Sequence, residues 1–207
     1  MALPVLFPLS AGGQSVQAEA PWLTVYDEAG RPKWEVRMEV LVRTDDGWEG
    51  KEVQVQLYHE GIPYLVLRAP LIRADRYGRG WTLGADEPPP GAVVGEGQGF
   101  TFTCREVRWE GELVLLDLRA EGRGVVLAAG EARWELGRAV VLADAEAAFA
   151  GWELKFASGY YELDSEELVG RAAVATGHGV TVAGATLAAW PGEGRLRLTE
   201  AHLVQAP

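Results

Sequence analysis

The sequence predicts an all-β, antiparallel fold assembled from repeated hairpins. Residues 34–42 and 53–58 alternate between apolar and polar side chains, which is the period of a half-buried antiparallel strand. An aromatic residue followed by a turn and an apolar strand recurs in the C-terminal half. No apolar pattern with the helical period persists beyond about two turns. These observations favour hairpins over helices along the whole chain.

The repeat is marked by Trp109, Trp134, Tyr161 and Trp190, which are separated by 25, 27 and 29 residues. Periods between about 20 and 50 residues indicate stacked structural units. Each unit is long enough for two strands and their turns, and a lone hairpin needs neighbours to bury its apolar face. We therefore expect stacked hairpins over residues 105–204. The alternative is an irregular antiparallel β sandwich.

The first half of the chain also consists of predicted short strands joined by turns. Before the repeat these are residues 22–26, 34–42, 53–58, 64–69, 71–74, 81–83 and 93–104. Residues 86–91 interrupt them, because three consecutive prolines do not fit a central strand. This segment is a linker between two β halves or a surface loop, and the return of the hairpin pattern favours a loop. Residues 139–150 have helical propensity, but the repeat favours a strand, and we expect roughly 14 to 16 short strands.

Charge and cysteine content narrow the classes of partner. The net charge of −11 argues against nucleic acid and against electrostatic binding to anionic bilayers. Cys104 is the only cysteine, so neither an intrachain disulfide nor a cysteine metal site can form. It lies in an alternating stretch and is predicted to be a small buried hydrophobe.

Residues 1–21 are predicted to be an N-terminal arm or the remnant of an export signal or membrane anchor. Residues 1–9 are apolar, and Ala18-Glu-Ala20 resembles a cleavage site with small residues. No Lys or Arg precedes the apolar run, which is too short to span a bilayer. Both interpretations stay open, and residues 22–204 are predicted to form a single domain.

The sequence contains no recognisable catalytic or metal-binding pattern. Three histidines lie in turns or at strand ends, without the paired spacing of metal ligands: His59, His178 and His202. Three acidic pairs lie in predicted turns, where acids are common: Asp45/Asp46, Asp86/Glu87 and Glu166/Glu167. A glycosidase would need two carboxylates across a cleft. We expect no enzymatic activity, no metal and no cofactor.

Two motifs in the first half resemble the LptC family, the bridge proteins of lipopolysaccharide transport. They are Asp27-Glu-Ala-Gly-Arg-Pro32 between two strands and Leu57-Tyr-His-Glu-Gly-Ile-Pro63. Residues 161–174 are similar to the related OstA/LptA type of repeat, in which an aromatic residue precedes a Leu-x-Gly-x-Ala-x-Val segment. The resemblance covers most of residues 22–204.

The resemblance implies a twisted, open β-jellyroll in the periplasm or cell envelope. Acyl chains of a lipopolysaccharide-like glycolipid would lie in an apolar trough between its sheets, and similar domains would pair edge to edge. The family has an N-terminal membrane anchor, of which only a vestige precedes Trp22. We expect the trough to be lined by alternating strand residues: Val36, Met38, Val40, Val55, Leu57, Phe102, Leu115 and Val141.

A solid core is the competing interpretation of the same strand faces. The eight Trp and six Tyr could stack on sugars, but most lie on strand faces that also carry Val and Leu, which favours core packing. The alternative function is therefore a β sandwich that binds carbohydrate or protein through surface loops.

Overall fold

The structure is a computed structural model that describes residues 17–77, 79–85 and 92–204. The described residues form eighteen antiparallel strands. The strands are β1 (Gln17–Glu19), β2 (Trp22–Tyr26), β3 (Pro32–Arg37), β4 (Val40–Arg43), β5 (Gly47–His59), β6 (Ile62–Asp75), β7 (Trp81–Gly84), β8 (Val93–Gly97), β9 (Phe100–Cys104), β10 (Glu106–Trp109), β11 (Leu113–Gly122), β12 (Val125–Glu135), β13 (Ala139–Phe149), β14 (Trp152–Glu162), β15 (Glu167–Gly177), β16 (Val180–Trp190), β17 (Arg195–Thr199) and β18 (His202–Val204). One turn of 3-10 helix, Pro191–Glu193, precedes β17.

The predicted all-β antiparallel class is confirmed. Residues 139–150, the best helix candidate by propensity, form strand β13. There are more strands than expected because two predicted strands are each divided and β1 forms in the predicted arm, although the predicted strands 64–69 and 71–74 are continuous in β6. Residues 34–42 separate into β3 and β4 at Met38 and Glu39, and residues 93–104 form the hairpin β8–β9 around Gln98-Gly99. The Pro-rich stretch 86–91 and residues 1–16 lie outside the described residues, whereas residues 17–19 of the predicted arm form β1 and pair with β4.

A line of backbone kinks crosses the sheet perpendicular to the strands. On alternate strands or strand junctions it is marked by non-glycine residues with φ between 48° and 54°: Ala20, Glu52, Asp117, Asp144, Ala172 and Glu200. On the strands between them, the kink residues face small residues or proline at gaps in the register: Pro70, Gly130, Ala157 and Ala185. We call this the kink line.

The kink line divides the array into two half-sheets. The upper half-sheet contains β1, β4, β7, β10 and β17, and the lower half-sheet contains β2, β3, β8, β9 and β18; each long strand contributes one end to each half. Arg123 at the lower end of β11 contacts Leu163 at the upper end of β14. Strands of this length would hold those ends roughly 30 Å apart in a flat sheet, so the half-sheets fold towards each other about the kink line.

Two-residue turns connect the strands at the lower end of the array. Glu60-Gly61, Gln98-Gly99, Arg123-Gly124, Ala150-Gly151 and His178-Gly179 all have positive φ at both positions. This is the pattern of tight type I′ hairpins, in which glycine tolerates the left-handed conformation best. His178 is therefore a turn residue, as predicted.

The core lies between the half-sheets and contains no buried charged or polar residue other than aromatic ones among the residues described. It is formed by one continuous cluster of alternating strand residues.

Within the described residues, β1 and β2 at one end and β17 and β18 at the other have one paired neighbour each, so the sheet remains open. The part of the chain that the structure describes contains no helix with the length and apolarity needed to cross a bilayer.

Candidate functional site

A row of bulky side chains crosses the inner face of the upper half-sheet. Consecutive members are direct cross-strand neighbours: Trp81, Trp109, Leu113, Trp134, Val140 and Tyr161. Each of the six is at most 6% exposed. We call this set the aromatic row.

Three of the four aromatic residues that mark the sequence repeat lie in this row. The row continues from Tyr161 through Leu168 to Ala189, so Trp190 lies one position beyond it. Because side chains alternate between the faces of a strand, Trp190 takes the outer face. There its ring centroid is 4.1 Å from the Arg195 guanidinium. The predicted fourth copy is therefore offset by one residue from the other three.

Aromatic rings of the lower half-sheet pack against the row. Phe100 makes an edge-to-face contact with Tyr161, with ring centroids 5.4 Å apart, and Phe102 lies 5.5 Å from Trp134. Trp34 meets Trp81 edge-on at 6.4 Å. The half-sheets are thus in direct side-chain contact across the interior.

The predicted lining residues take three different positions. Six are packed in the core and at most 6% exposed: Val36, Met38, Val55, Leu57, Phe102 and Leu115. Val40 is half-buried where the chain enters the upper half-sheet. Val141 is 39% exposed on the outer face, because its neighbours Val140 and Leu142 take the inner positions on β13. The expectation that Val141 points into the interior is wrong, and the six core positions are closed to water in this conformation.

The free ends of the two half-sheets meet along a line that we call the seam. Arg123 is the most connected residue there: its guanidinium donates to the carbonyl oxygens of Gln98 and Leu163 and lies 3.3 Å from the Glu166 carboxylate. The His59 imidazole packs on Gly137, where an added Cβ would lie 2.2 Å from Nε2. A Cβ at Gly194 would lie 3.3 Å from that of Ala150. Among the described residues, side chains and turns make these contacts across the seam, without continuous backbone pairing.

Three polar groups of the aromatic row are buried without an acceptor among the described residues: Trp81 Nε1, Trp134 Nε1 and Tyr161 Oη. Burial raises the pKa of Tyr161 to about 12, and the Glu166 carboxylate adds to this effect, whereas the neighbouring Arg123 guanidinium opposes it. A guanidinium can only donate hydrogen bonds, so it leaves the Tyr161 O–H proton without an acceptor.

The two family-like motifs form adjacent turns at the seam. In the first, the Asp27 carboxylate accepts hydrogen bonds from the backbone N–H groups of Ala29 and Arg31, and these bonds lower its pKa. In both motifs the proline pairs with a tyrosine directly beside a register shift, Pro32 with Tyr26 and Pro63 with Tyr58. The motifs thus encode a repeated turn geometry.

Several grooves open at the surface of the described residues. One, of about 760 Å³, follows the outer face of the upper half-sheet and is lined by Val141, Tyr160, Val169 and Trp190 among others. Another, of about 900 Å³, lies beside the first motif and is lined by the exposed Tyr26 and Tyr77, by Lys33 and Arg79, and by the buried rings of Trp34 and Trp109. Lys33 Nζ stands 5.3 Å from the ring centroid of Trp109.

The predicted titratable candidates are not brought together. His59 ends strand β5, His178 lies in the turn after β15, and His202 begins the edge strand β18. Asp45/Asp46 lies in the turn after β4, Glu166/Glu167 lies at the seam, and Asp86/Glu87 falls outside the described residues. No group of three or more metal-binding side chains occurs within residues 17–77, 79–85 and 92–204. Cys104 is fully buried, as predicted, and burial raises its pKa to about 12.

Sequence reasoning missed the kink line and the unpaired donors. Positive φ at Asp117 or Asp144 gives no unique sequence signal, because short polar residues also occupy ordinary turns. The donors could have been suspected from the aromatic repeat, since each buried Trp or Tyr brings a polar group with it.

The chain matches no protein-family model and no curated protein. Among solved structures it is similar to LptH, the LptA homologous periplasmic component of the conserved lipopolysaccharide transport device from Pseudomonas aeruginosa. The sequence identity is 13%, the match covers 69% of this chain and 95% of that chain, and the TM-score is 0.30. A TM-score of this size does not establish a shared fold.

Proposed function

We propose that this protein is a non-enzymatic carrier or bridge for an amphipathic, lipopolysaccharide-like glycolipid in the cell envelope. The observation that carries the proposal is that the two half-sheets are joined differently along their two sides, the kink line and the seam. The half-sheets are continuous along the kink line, whereas among the described residues they meet along the seam through side chains and turns and not through paired strands. A sandwich joined in this way can part along the seam and expose an apolar interior to acyl chains.

The core of the described residues is closed to lipid while the half-sheets are in contact. The inner side chains are nearly inaccessible, so acyl chains enter only when the half-sheets separate. Transfer of apolar chain into such a space contributes about 0.8 kcal/mol per buried CH₂ group, which offsets lost ring contacts. Among the described residues, β2 and β17 each have only one paired neighbour, so their outer edges offer backbone groups for pairing with similar domains.

A reversible staple across the seam tests the proposal. Ala150 and Gly194 are suitable because their β positions lie 3.3 Å apart, near the ~3.8 Å found in disulfides. In an Ala150→Cys/Gly194→Cys variant, we expect a fluorescent fatty-acid probe to bind saturably when the disulfide is reduced. Oxidation should abolish this binding.

The single variant Ala150→Cys controls for the substitution itself. It should bind the probe equally under both redox conditions. Saturable binding that is unchanged in the oxidised double variant, or no binding in the unmodified protein, would contradict the proposal.

The groove beside the first motif favours a second candidate, the binding of carbohydrate to a protein with a solid core. Two exposed tyrosines and the cations of Lys33 and Arg79 line this groove. Neither cation forms a salt bridge with any described residue. This function needs no opening of the seam, so soluble oligosaccharides would bind equally to the stapled and reduced forms.

A further inference from the structure

Unpaired donors distinguish the interior of this protein from an ordinary apolar core. Buried polar groups nearly always have a hydrogen-bond partner, and an unsatisfied one costs about 1–3 kcal/mol. Trp81, Trp134 and Tyr161 each leave a donor unsatisfied within the described residues, and all three belong to the aromatic row. Their shared position suggests a common role in ligand binding.

The donors lie along one direction across the strands. Three strand steps separate Trp81 from Trp134, and two separate Trp134 from Tyr161. At about 4.8 Å per step, the intervals are roughly 14 Å and 10 Å. One small polar molecule cannot reach all three donors, whereas several acyl chains lying side by side can.

The chemistry of the row specifies the ligand atoms. Indole N–H groups can only donate, and the Tyr161 hydroxyl already faces a second donor in Arg123. The ligand must therefore supply acceptors. At Trp81 and Trp134 these acceptors must be uncharged, because no charged side chain is buried in the core among the described residues and burial of an unpaired ion is unfavourable. Only Tyr161 has a cation beside it, the partly exposed Arg123 guanidinium.

Ester and amide carbonyl oxygens at the head of acyl chains meet both conditions. We propose that Trp81, Trp134 and Tyr161 donate hydrogen bonds to the linkage carbonyls of a multiply acylated lipid. This inference rests on the proposed carrier function and adds the polar subsite that would select acylated ligands.

Opening of the seam would uncover these donors. Phe100 and Phe102, the rings that cover Tyr161 and Trp134, belong to β9 in the lower half-sheet. The row itself belongs to the upper half-sheet. Separation of the half-sheets would withdraw the covering rings and leave the row in place for carbonyl groups.

The test compares two lipids that differ only at the linkage. A fluorescent diacylglycerol has ester carbonyls, and the matching dialkyl ether of equal chain length lacks them. We expect the unmodified protein to bind the ester several-fold more tightly than the ether. Tyr161→Phe should weaken ester binding by about five-fold, the effect of one hydrogen bond, and leave ether binding unchanged.

If Tyr161 had only a structural role, Tyr161→Phe would lower the free energy of unfolding measured without lipid. The proposed role predicts no such loss, because the substitution removes an unsatisfied donor. Tyr160→Phe is the matched control, since Tyr160 is adjacent but 39% exposed on the outer face. It should alter neither affinity.

Two results would overturn the inference. Equal affinity for ester and ether, unaffected by Tyr161→Phe, would remove the polar subsite while leaving the carrier function in place. Absence of binding for both lipids would contradict the carrier function as well. If Tyr161→Phe does not fold, Trp134→Phe provides the same comparison of ester and ether.

Discussion

The Arg123 guanidinium of the lower half-sheet donates a hydrogen bond to the Leu163 carbonyl oxygen of the upper half-sheet. The same side chain donates to the Gln98 carbonyl and approaches the Glu166 carboxylate. One arginine therefore joins three turns that are distant in sequence.

Arg123→Ala should lower the free energy of unfolding by about 2 kcal/mol, because hydrogen bonds from a charged donor contribute roughly 1.5–3 kcal/mol. Urea denaturation would measure the change. The variant should also speed the uptake of a fluorescent acyl probe, since the seam is weakened. Arg119→Ala on the exposed face of the preceding strand β11 is the control, and a similar loss of stability there would refute a special role for Arg123.

Replacement of Gly137 tests the packing of His59 at the seam. Gly137→Ala introduces both a strained φ of 80° and a Cβ that overlaps the imidazole. Gly111→Ala has a similar φ of 93° but nothing within 4 Å of its Cβ. We expect both variants to lose about 1 kcal/mol from strain, and Gly137→Ala to lose at least another 1 kcal/mol.

Thermal unfolding of the two glycine variants gives this difference directly. His59→Ala combined with Gly137→Ala should recover most of the excess loss. Equal destabilisation of the two single variants would mean that the imidazole can move aside freely.

Strain in the kink line can be measured at two neighbouring alanines. Ala172 is exposed with a φ of 51°, whereas the facing Ala185 is exposed without a positive φ. Ala172→Gly should raise the free energy of unfolding by about 1 kcal/mol, because it relieves the left-handed conformation. Ala185→Gly should lower it by about 0.5–1 kcal/mol through chain entropy.

Chemical denaturation of these two variants would show changes of opposite sign. Loss of stability in both would contradict a kink held under backbone strain.

Alkaline pH should destabilise the protein through Cys104. Burial raises its pKa from 9.0 to about 12, so the folded state keeps the thiol proton after the unfolded state has lost it. The stability contribution is complete below about pH 9 and declines as the pH rises towards 12. Urea midpoints measured across this range should fall less steeply for Cys104→Ala, and an unchanged slope would contradict the assignment.

The strands could be predicted from the sequence, but the kinks that divide the sheet could not. Alternation identified β3 and β5 because period two reports directly which face is buried, and the recurring aromatic residue identified the repeat strands. It could not reveal that β3 and β4 lie in different half-sheets. The change occurs at Met38 and Glu39, where the local pattern is unbroken and only contacts with distant residues divide the strand.

The candidate site was predictable in part for the same reason. Alternation correctly assigned Val36, Val55 and Leu115 to the interior. It failed at Val141 because Val140, Val141 and Leu142 are all apolar, and three consecutive apolar residues do not show which side chains of the strand point into the core. The register that aligns Trp134 with Tyr161 depends on pairing across three strands, which a linear sequence does not specify.

The kink line has a consequence for how proteins of this kind can vary in size. Subtracting 117 from 144 and 144 from 172 gives intervals of 27 and 28 residues between successive kinks. One such interval is a repeated unit of two strands, so duplication or deletion of a unit would lengthen or shorten the array by about 10 Å. The number of units therefore sets the length of the array across the strands.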